Sequence, residues 1–289
     1  MSTVLPPAPP GVDTILARSW ALFKRGWIVA LPPFIGTVLI MTCVIVYVLA
    51  LATLGIVAVA ARHSETLSPA LLGTLVIGYV ALLILSVLVA LWMYAAMFGM
   101  ADALWERGTT SLADGFTAFR TRGGALFVAG IGFIGLAILA VVLALPTLGL
   151  ALLAFPLFTM YAVPAIVSGG RGGFEAIGES FRLVRSYFVP SLIAVLVLYG
   201  IWYGVSFLGS FAIVPLEMAT LPDRPGDVTF RVPPPSLIVG AGVGYVISLV
   251  VSIAYSGFVA IGLTGLYREL TGRAAFTEAA APPSAVLPG

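Results

Sequence analysis

The sequence predicts an all-α, polytopic membrane protein: six transmembrane helices in three amphipathic-helix-plus-hairpin units. Three observations carry that reading. First, 61% of the 289 residues are hydrophobic and 9% are charged, against about 25% charged in soluble domains. A soluble fold has nowhere to hide so much apolar surface. Second, no charge falls between Arg25 and Arg62, nor between Arg122 and Arg171, and a hydrocarbon core about 30 Å thick takes roughly 20 helical residues. Third, GFEAIGESFRLVRSYFVPSL, Gly173 to Leu192, has two weaker copies. Each copy precedes apolar sequence long enough for two spans, which is the mark of a repeat.

Residues 1–10, MSTVLPPAPP, read as a flexible tail without the charged-then-apolar plan of a cleaved signal peptide. The first amphipathic helix follows. Val12, Ile15, Leu16, Trp20, Phe23 and Trp27 share a face, with Asp13, Thr14, Arg18, Lys24 and Arg25 opposite. Pro32 and Pro33 mark the start of span one, about Phe34 to Ala61, and Arg62 to Glu65 form a loop. Span two begins near Pro69 and meets no charge before Asp102, so it tilts or projects as far as Arg107. Trp92, Tyr94 and Trp105 fall towards that end, where interfacial aromatics belong.

The second copy starts at Ser111, with Leu112, Phe116 and Phe119 on one face and Arg120 and Arg122 after them. Ser111 and Asp114 have capping-box spacing. Spans three and four then turn near Pro146-Thr147-Leu148-Gly149, and span four carries Pro156 and Pro164, a source of kinks. Gly169, Gly170, Gly172 and Gly173 break the chain before the third copy. There Phe174, Ile177, Phe181, Val184 and Phe188 form the apolar face, Glu175, Glu179, Arg182 and Ser186 lie elsewhere, and Arg185 snorkels. With Ser19 set beside Ser180, Trp20 falls on Phe181, Phe23 on Val184, Lys24 on Arg185 and Trp27 on Phe188.

Span five is expected over Ser191 to Val214. A loop from Pro215 to Pro235 holds Glu217, Asp223, Arg224, Asp227 and Arg231, and its DVTFRV has strand character. Span six covers Ser236 to Tyr267, and residues 274–289 read as a second flexible tail. The six-helix domain is therefore 11–273, with units at about 11–107, 108–170 and 171–272.

Lys and Arg are unevenly shared. Arg18, Lys24, Arg25, Arg107, Arg120, Arg122, Arg171, Arg182, Arg185, Arg268 and Arg273 fall on the side of the amphipathic helices, and Arg62, Arg224 and Arg231 on the other. Positive-inside asymmetry places both termini in the cytoplasm of a plasma (inner) membrane protein.

Reactive constellations are sparse. His63 is the single histidine, in an outer loop, and Cys43 the single cysteine, in an apolar run. Asp102 and Glu106 lie one turn apart and read as interfacial groups pairing with Arg107 or Arg120. Asp223 and Asp227 read as a solvated turn. GGRGGFEAIG lacks the lysine and preceding strand of a P-loop. No charge sits near the middle of a span, where ion and proton routes carry one. No catalytic residue, cofactor site or metal site is therefore assigned.

Two patterns remain. Lys24, Arg25, Arg120, Arg122, Arg171, Arg182 and Arg185 are candidate contacts for lipid headgroup phosphates. Gly240, Gly244, Ser248, Ser252 and Ser256, within a four-residue period from Ser236 to Thr264, are either a helix-packing stripe or hydroxyls lining a path.

The run PLFTMYAVPAIVSGGRGGFEAIGESFRLVRSYFVPSLIAVLVLYG, with SWALFKRGW near the start, resembles a motif of uncharacterised six-span bacterial membrane proteins. These are similar to the membrane domain attached to some glycerophosphodiester phosphodiesterases. The matching features are Pro164, the glycine turn, Glu175-Ala176-Ile177, Ser180 and the bases before span five, and the resemblance covers Gly11 to Gly272. It implies six spans with cytoplasmic amphipathic segments and carries over no catalytic residue. The expected function is that of a non-enzymatic membrane protein that binds lipid or supports other membrane components. The alternative is a transporter or channel for a neutral or amphipathic solute. Membrane lipids are the expected partners and nucleic acid is not; a homo-oligomer is left open.

Overall fold

The computed structural model describes residues 11–60, 69–220 and 234–273. The Arg62–Glu65 loop with His63, the strand-like DVTFRV, Asp223, Asp227 and both tails lie outside them. Helix is the only regular structure among the described residues. Five helices are long and apolar enough to cross a bilayer, and a bent pair makes a sixth span. The protein is thus a multi-pass, all-α membrane protein.

Helix α1, Val12–Arg25, ends at the buried Gly26. A 3-10 turn, Trp27–Ala30, leads into α2, Leu31–Ala60. Pro32 and Pro33 fall in the first turn of α2, where no N–H is needed. Helix α3, Pro69–Arg107, is one uninterrupted element of 39 residues, about 58 Å long at 1.5 Å per residue. Its length beyond the bilayer is as expected.

Helix α4, Leu112–Ala144, departs from expectation. The second amphipathic segment does not bend away from its span but continues straight into it. The reason is the partner: α4 lies along the straight α3, with Gly115 against Ala96 and Ala118 against Gly99. The turn at Leu145–Gly149 follows, with left-handed Leu148 and Gly149. Span four is broken into α5, Leu150–Thr159, and α6, Ala162–Val167. Pro164 has no N–H to offer the Met160 carbonyl, so the ladder opens there.

The third amphipathic segment is α7, Gly173–Ser186, and α8, Phe188–Thr220, leaves it at 106°. The loop expected from Pro215 begins later, because the backbone stays helical to Thr220; one proline frees a carbonyl without ending an apolar helix. Helix α9, Pro235–Leu270, closes the fold.

The buried residues are concentrated at one end. Met100, Leu104 and Trp105 of α3, Ile166 of α6, and Ile261, Leu266 and Tyr267 of α9 are almost wholly enclosed. Helices α3, α6 and α9 contact one another there, with α1 against α9, α4 against α3 and α7 against α6. Away from that end the spans expose apolar side chains on most faces, such as Ile77 (71%), Val142 (65%) and Val246 (56%). Such surface belongs against lipid.

Trp105 is not the interfacial anchor the sequence implied. It is fully buried, its Nε1 donates to the Ile261 carbonyl at 2.7 Å, and the Arg18 guanidinium lies 4.9 Å from its ring centre. Its ring fills the place a Cβ on Gly265 would take. Gly265→Ala should therefore destabilise the protein in detergent by about 1–3 kcal/mol through overpacking. Gly240→Ala, in open space, should be neutral or slightly stabilising. Thermal unfolding of the two variants side by side tests this.

Candidate functional site

The amphipathic segments form a collar around the packed end, and the way they lie corrects the sequence reading. In α7 the buried residues are Gly173, Ala176, Glu179, Ser180, Leu183 and Val184. Phe174 is 63% and Phe188 48% exposed. In α1 the buried residues are Ile15, Ser19 and Leu22, while Trp20 and Trp27 are exposed. The large aromatics thus turn towards lipid and the small residues towards protein. In a bilayer apolar side chains have a second apolar medium to enter, and small residues let backbones approach. Gly173 shows how close: a Cβ there would stand 2.6 Å from the Ala125 carbonyl oxygen.

The buried small position links the copies. Ser19 and Ser180, which the alignment of their segments set side by side, are fully buried, and Gly115 of α4 is buried at the corresponding place. Ser111 instead begins α4. Its N–H donates to Asp114 Oδ2 at 2.9 Å and its hydroxyl to the same oxygen at 3.0 Å. The signal that identifies Gly115 is an aromatic just after the small residue and a base four further on: Trp20 and Lys24, Phe116 and Arg120, Phe181 and Arg185. Lys24, Arg120, Arg182 and Arg185 are all exposed, as is Arg25. Trp20 and Phe116 are more than half exposed, and Phe181 stacks on Phe158 with ring centres 4.9 Å apart. Residues i and i+4 share a helix face, so Trp20 stands with Lys24 and Phe116 with Arg120 on the outside of the collar, while the half-buried Phe181 packs on α5 and leaves Arg185 exposed beside it.

Arg171 and Arg122, both candidate headgroup contacts, are engaged within the protein. Arg171 Nε meets Glu179 Oε2 at 2.5 Å, and its Nη1 meets Glu175 Oε1 at 2.8 Å. These carboxylates, Glu179 first, push its guanidinium above the ordinary arginine range. The half-buried Arg122 lies over Gly170. Glu179, expected on the polar outside, has a side chain only 6% exposed and accepts from the Tyr267 hydroxyl at 2.9 Å. Arg273 donates to the Ser168 and Gly169 carbonyls, a base at the negative end of α6.

Asp102 pairs with Arg268 at 2.6 Å, and Arg107 pairs with Asp114 at 2.7 Å. The expected pairing of Asp102 with Arg107 or Arg120 is therefore replaced by one that ties α3 to α9. Sequence spacing found the carboxylate but not a partner far along the chain. Glu106 is exposed. Among the described residues no three His, Cys, Asp or Glu side chains converge as metal ligands would.

The glycine and serine stripe of α9 changes character along its length. Gly240 is exposed with no neighbour close enough to meet a Cβ, and Gly244 and Ser248 are half-buried. At that end the stripe does not serve as a close-packing seam. Ser252 and Ser256 line a recess of 250 Å³ that also takes in Pro33 and Thr37 of α2, Met93, Tyr94 and Met97 of α3, and Trp202 of α8. Nothing in the sequence marked Met93, Met97 or Trp202, because the helices that enclose the recess are distant in the chain.

Comparison with family models, curated proteins and solved structures gives no match for this chain.

The Glu179 cluster makes a stability prediction. Glu179→Gln and Tyr267→Phe should each cost about 1–3 kcal/mol, the range for hydrogen bonds to charged groups. The double variant should cost less than the sum, because the bond that Tyr267→Phe removes is already weaker once its acceptor is a neutral amide. Denaturant unfolding of the three variants reads the coupling.

Proposed function

We propose that the protein is a non-enzymatic integral membrane protein that gathers lipid headgroups at its collar and serves as an accessory or scaffold in a plasma (inner) membrane. Both termini lie in the cytoplasm. The observation that carries this reading is the exposed base in each amphipathic segment, Lys24, Arg120 and Arg185, with Trp20 and Phe116 more than half exposed one turn before the first two. An aromatic at headgroup level and a base beside it suit an anionic interface. The proposed repeat, in three units of one orientation, is supported by the contacts among α3, α6 and α9 and by the collar segments against them. The resemblance to a membrane domain attached to hydrolases supports an accessory role.

A second reading, a transporter for a neutral or amphipathic solute, is favoured by the recess at Ser252 and Ser256. Against it stands the packed end, where Ala260 to Arg268 is buried around Trp105; a solute would have to part that core.

Protein purified in mild detergent from a mixed-lipid membrane should retain anionic phospholipid above its share of the bilayer, as native mass spectrometry would read. Reversing Lys24, Arg120 and Arg185 to Glu should erode that enrichment by about fivefold per site, the equivalent of about 1 kcal/mol per base. Wild-type protein that retains lipids in bilayer proportion would end the proposal. For orientation, Cys43→Ala carrying Ser186→Cys should react with an impermeant maleimide in inside-out vesicles and not in intact cells.

A further inference from the structure

The recess among α2, α3, α8 and α9 has a definite depth. Met97 and Met93 lie roughly 15–20 Å along α3 from its collar end at Arg107, and Trp202 roughly 20 Å along α8 from Phe188, at 1.5 Å per residue. Pro33 and Thr37 stand in the opening turns of α2. In a core about 30 Å thick, these positions run from the collar to the middle of the bilayer. The lining is mostly apolar. Thr37, Ser252 and Ser256 are small, and they leave the room that larger residues would fill. Met93 and Met97 are unbranched and adapt to irregular shapes.

A recess this large at hydrocarbon depth does not stay empty, and water has few polar partners in it. The abundant molecule of the right chemistry is the lipid itself. Lys24 and Arg25 stand at the end of α1, one short turn before α2 begins, so an anionic headgroup near them would place its chain at Pro33. We infer that the recess seats one acyl chain of a phospholipid from the leaflet that the collar helices enter. The inference deepens the lipid-interacting reading and rests on it. The bound lipid lies between the first hairpin, α2 and α3, and the third, α8 and α9, and adds to the contacts that join them.

The test uses a phospholipid with a diazirine along one acyl chain, reconstituted with the full-length protein and photolysed. Cross-links at Met93, Met97 and Ser252 to Ser256 should exceed those at the lipid-exposed Val141 and Val142 of α4 several-fold. Ser252→Phe with Ser256→Phe should remove the excess and leave the α4 cross-links unchanged. Equal cross-linking of recess and α4 in wild-type protein would overturn the proposal without any variant, since the lipid would then be annular only. An excess that survives both phenylalanines would overturn it too. The Lys24, Arg120 and Arg185 reversals separate the two readings. If they abolish anionic enrichment but spare the recess cross-links, the seat holds chains whatever the headgroup. Enrichment without recess cross-links would sustain the collar and sink the seat.

Discussion

The hydroxyl of Ser180 sits in the break of span four, and much of the architecture follows from its being there. It donates to the Phe158 carbonyl at 2.7 Å and accepts from the Tyr161 N–H at 3.1 Å. Both backbone groups flank the break between α5 and α6, one turn before Pro164. In hydrocarbon an unmet backbone group costs several kcal/mol, so one small hydroxyl makes the broken helix tenable. To supply it, α7 must lie against α5 and α6 instead of entering the bilayer as a straight extension of α8. The 106° bend at Tyr187 is the geometric consequence. Burying Ser180 also turns Glu179 inward, and that charge is then met by Arg171 and the Tyr267 hydroxyl. The proline, the serine, the bend and the buried carboxylate form a single chain of cause.

The same position is solved differently in the other copies. Ser19 donates to its own Ile15 carbonyl at 2.7 Å and has no broken helix to mend. Gly115 has no side chain and rests on Ala96 of the continuous α3. What the three share is smallness at the contact. That explains why the similarity was visible as a pattern of large aromatics and bases while its structural meaning was not. The conspicuous residues, Trp20, Phe116 and Phe174, are the ones that leave the protein for lipid. The residue that defines the fit is a Ser or Gly that periodicity passes over.

This is also where sequence reasoning reached its limit. Hydropathy gives the spans within a few residues, because a bilayer imposes length and forbids charge whatever the fold. The proline kink and the Pro146–Gly149 turn were legible for equally local reasons. Burial was not. In water an apolar face points inward, and that assumption put Glu179 outside and Phe188 inside; a second apolar solvent removes the inference. Partners separated by many residues were hidden as well. Asp102 with Arg268, Trp105 with Ile261 and Glu179 with Tyr267 all join helices far apart in the chain. The straightness of α4 is set by α3, and no property of its own residues announces it.

The α9 stripe shows how depth alone can change what a motif does. Near the collar, Gly257 lies against the Ala30 backbone, and Ala260 and Thr264 are wholly buried. Midway, Ser252 and Ser256 border open volume. Beyond, Gly240 is exposed. One four-residue period thus runs from close packing through a recess to bare surface. A bundle tied at one end and spread at the other leaves hydrocarbon to fill the space between its hairpins. On the proposed lipid seat, an acyl chain would complete the packing that side chains supply in a fully closed bundle, and the exposed bases of the collar would stand in the headgroup layer from which that lipid comes.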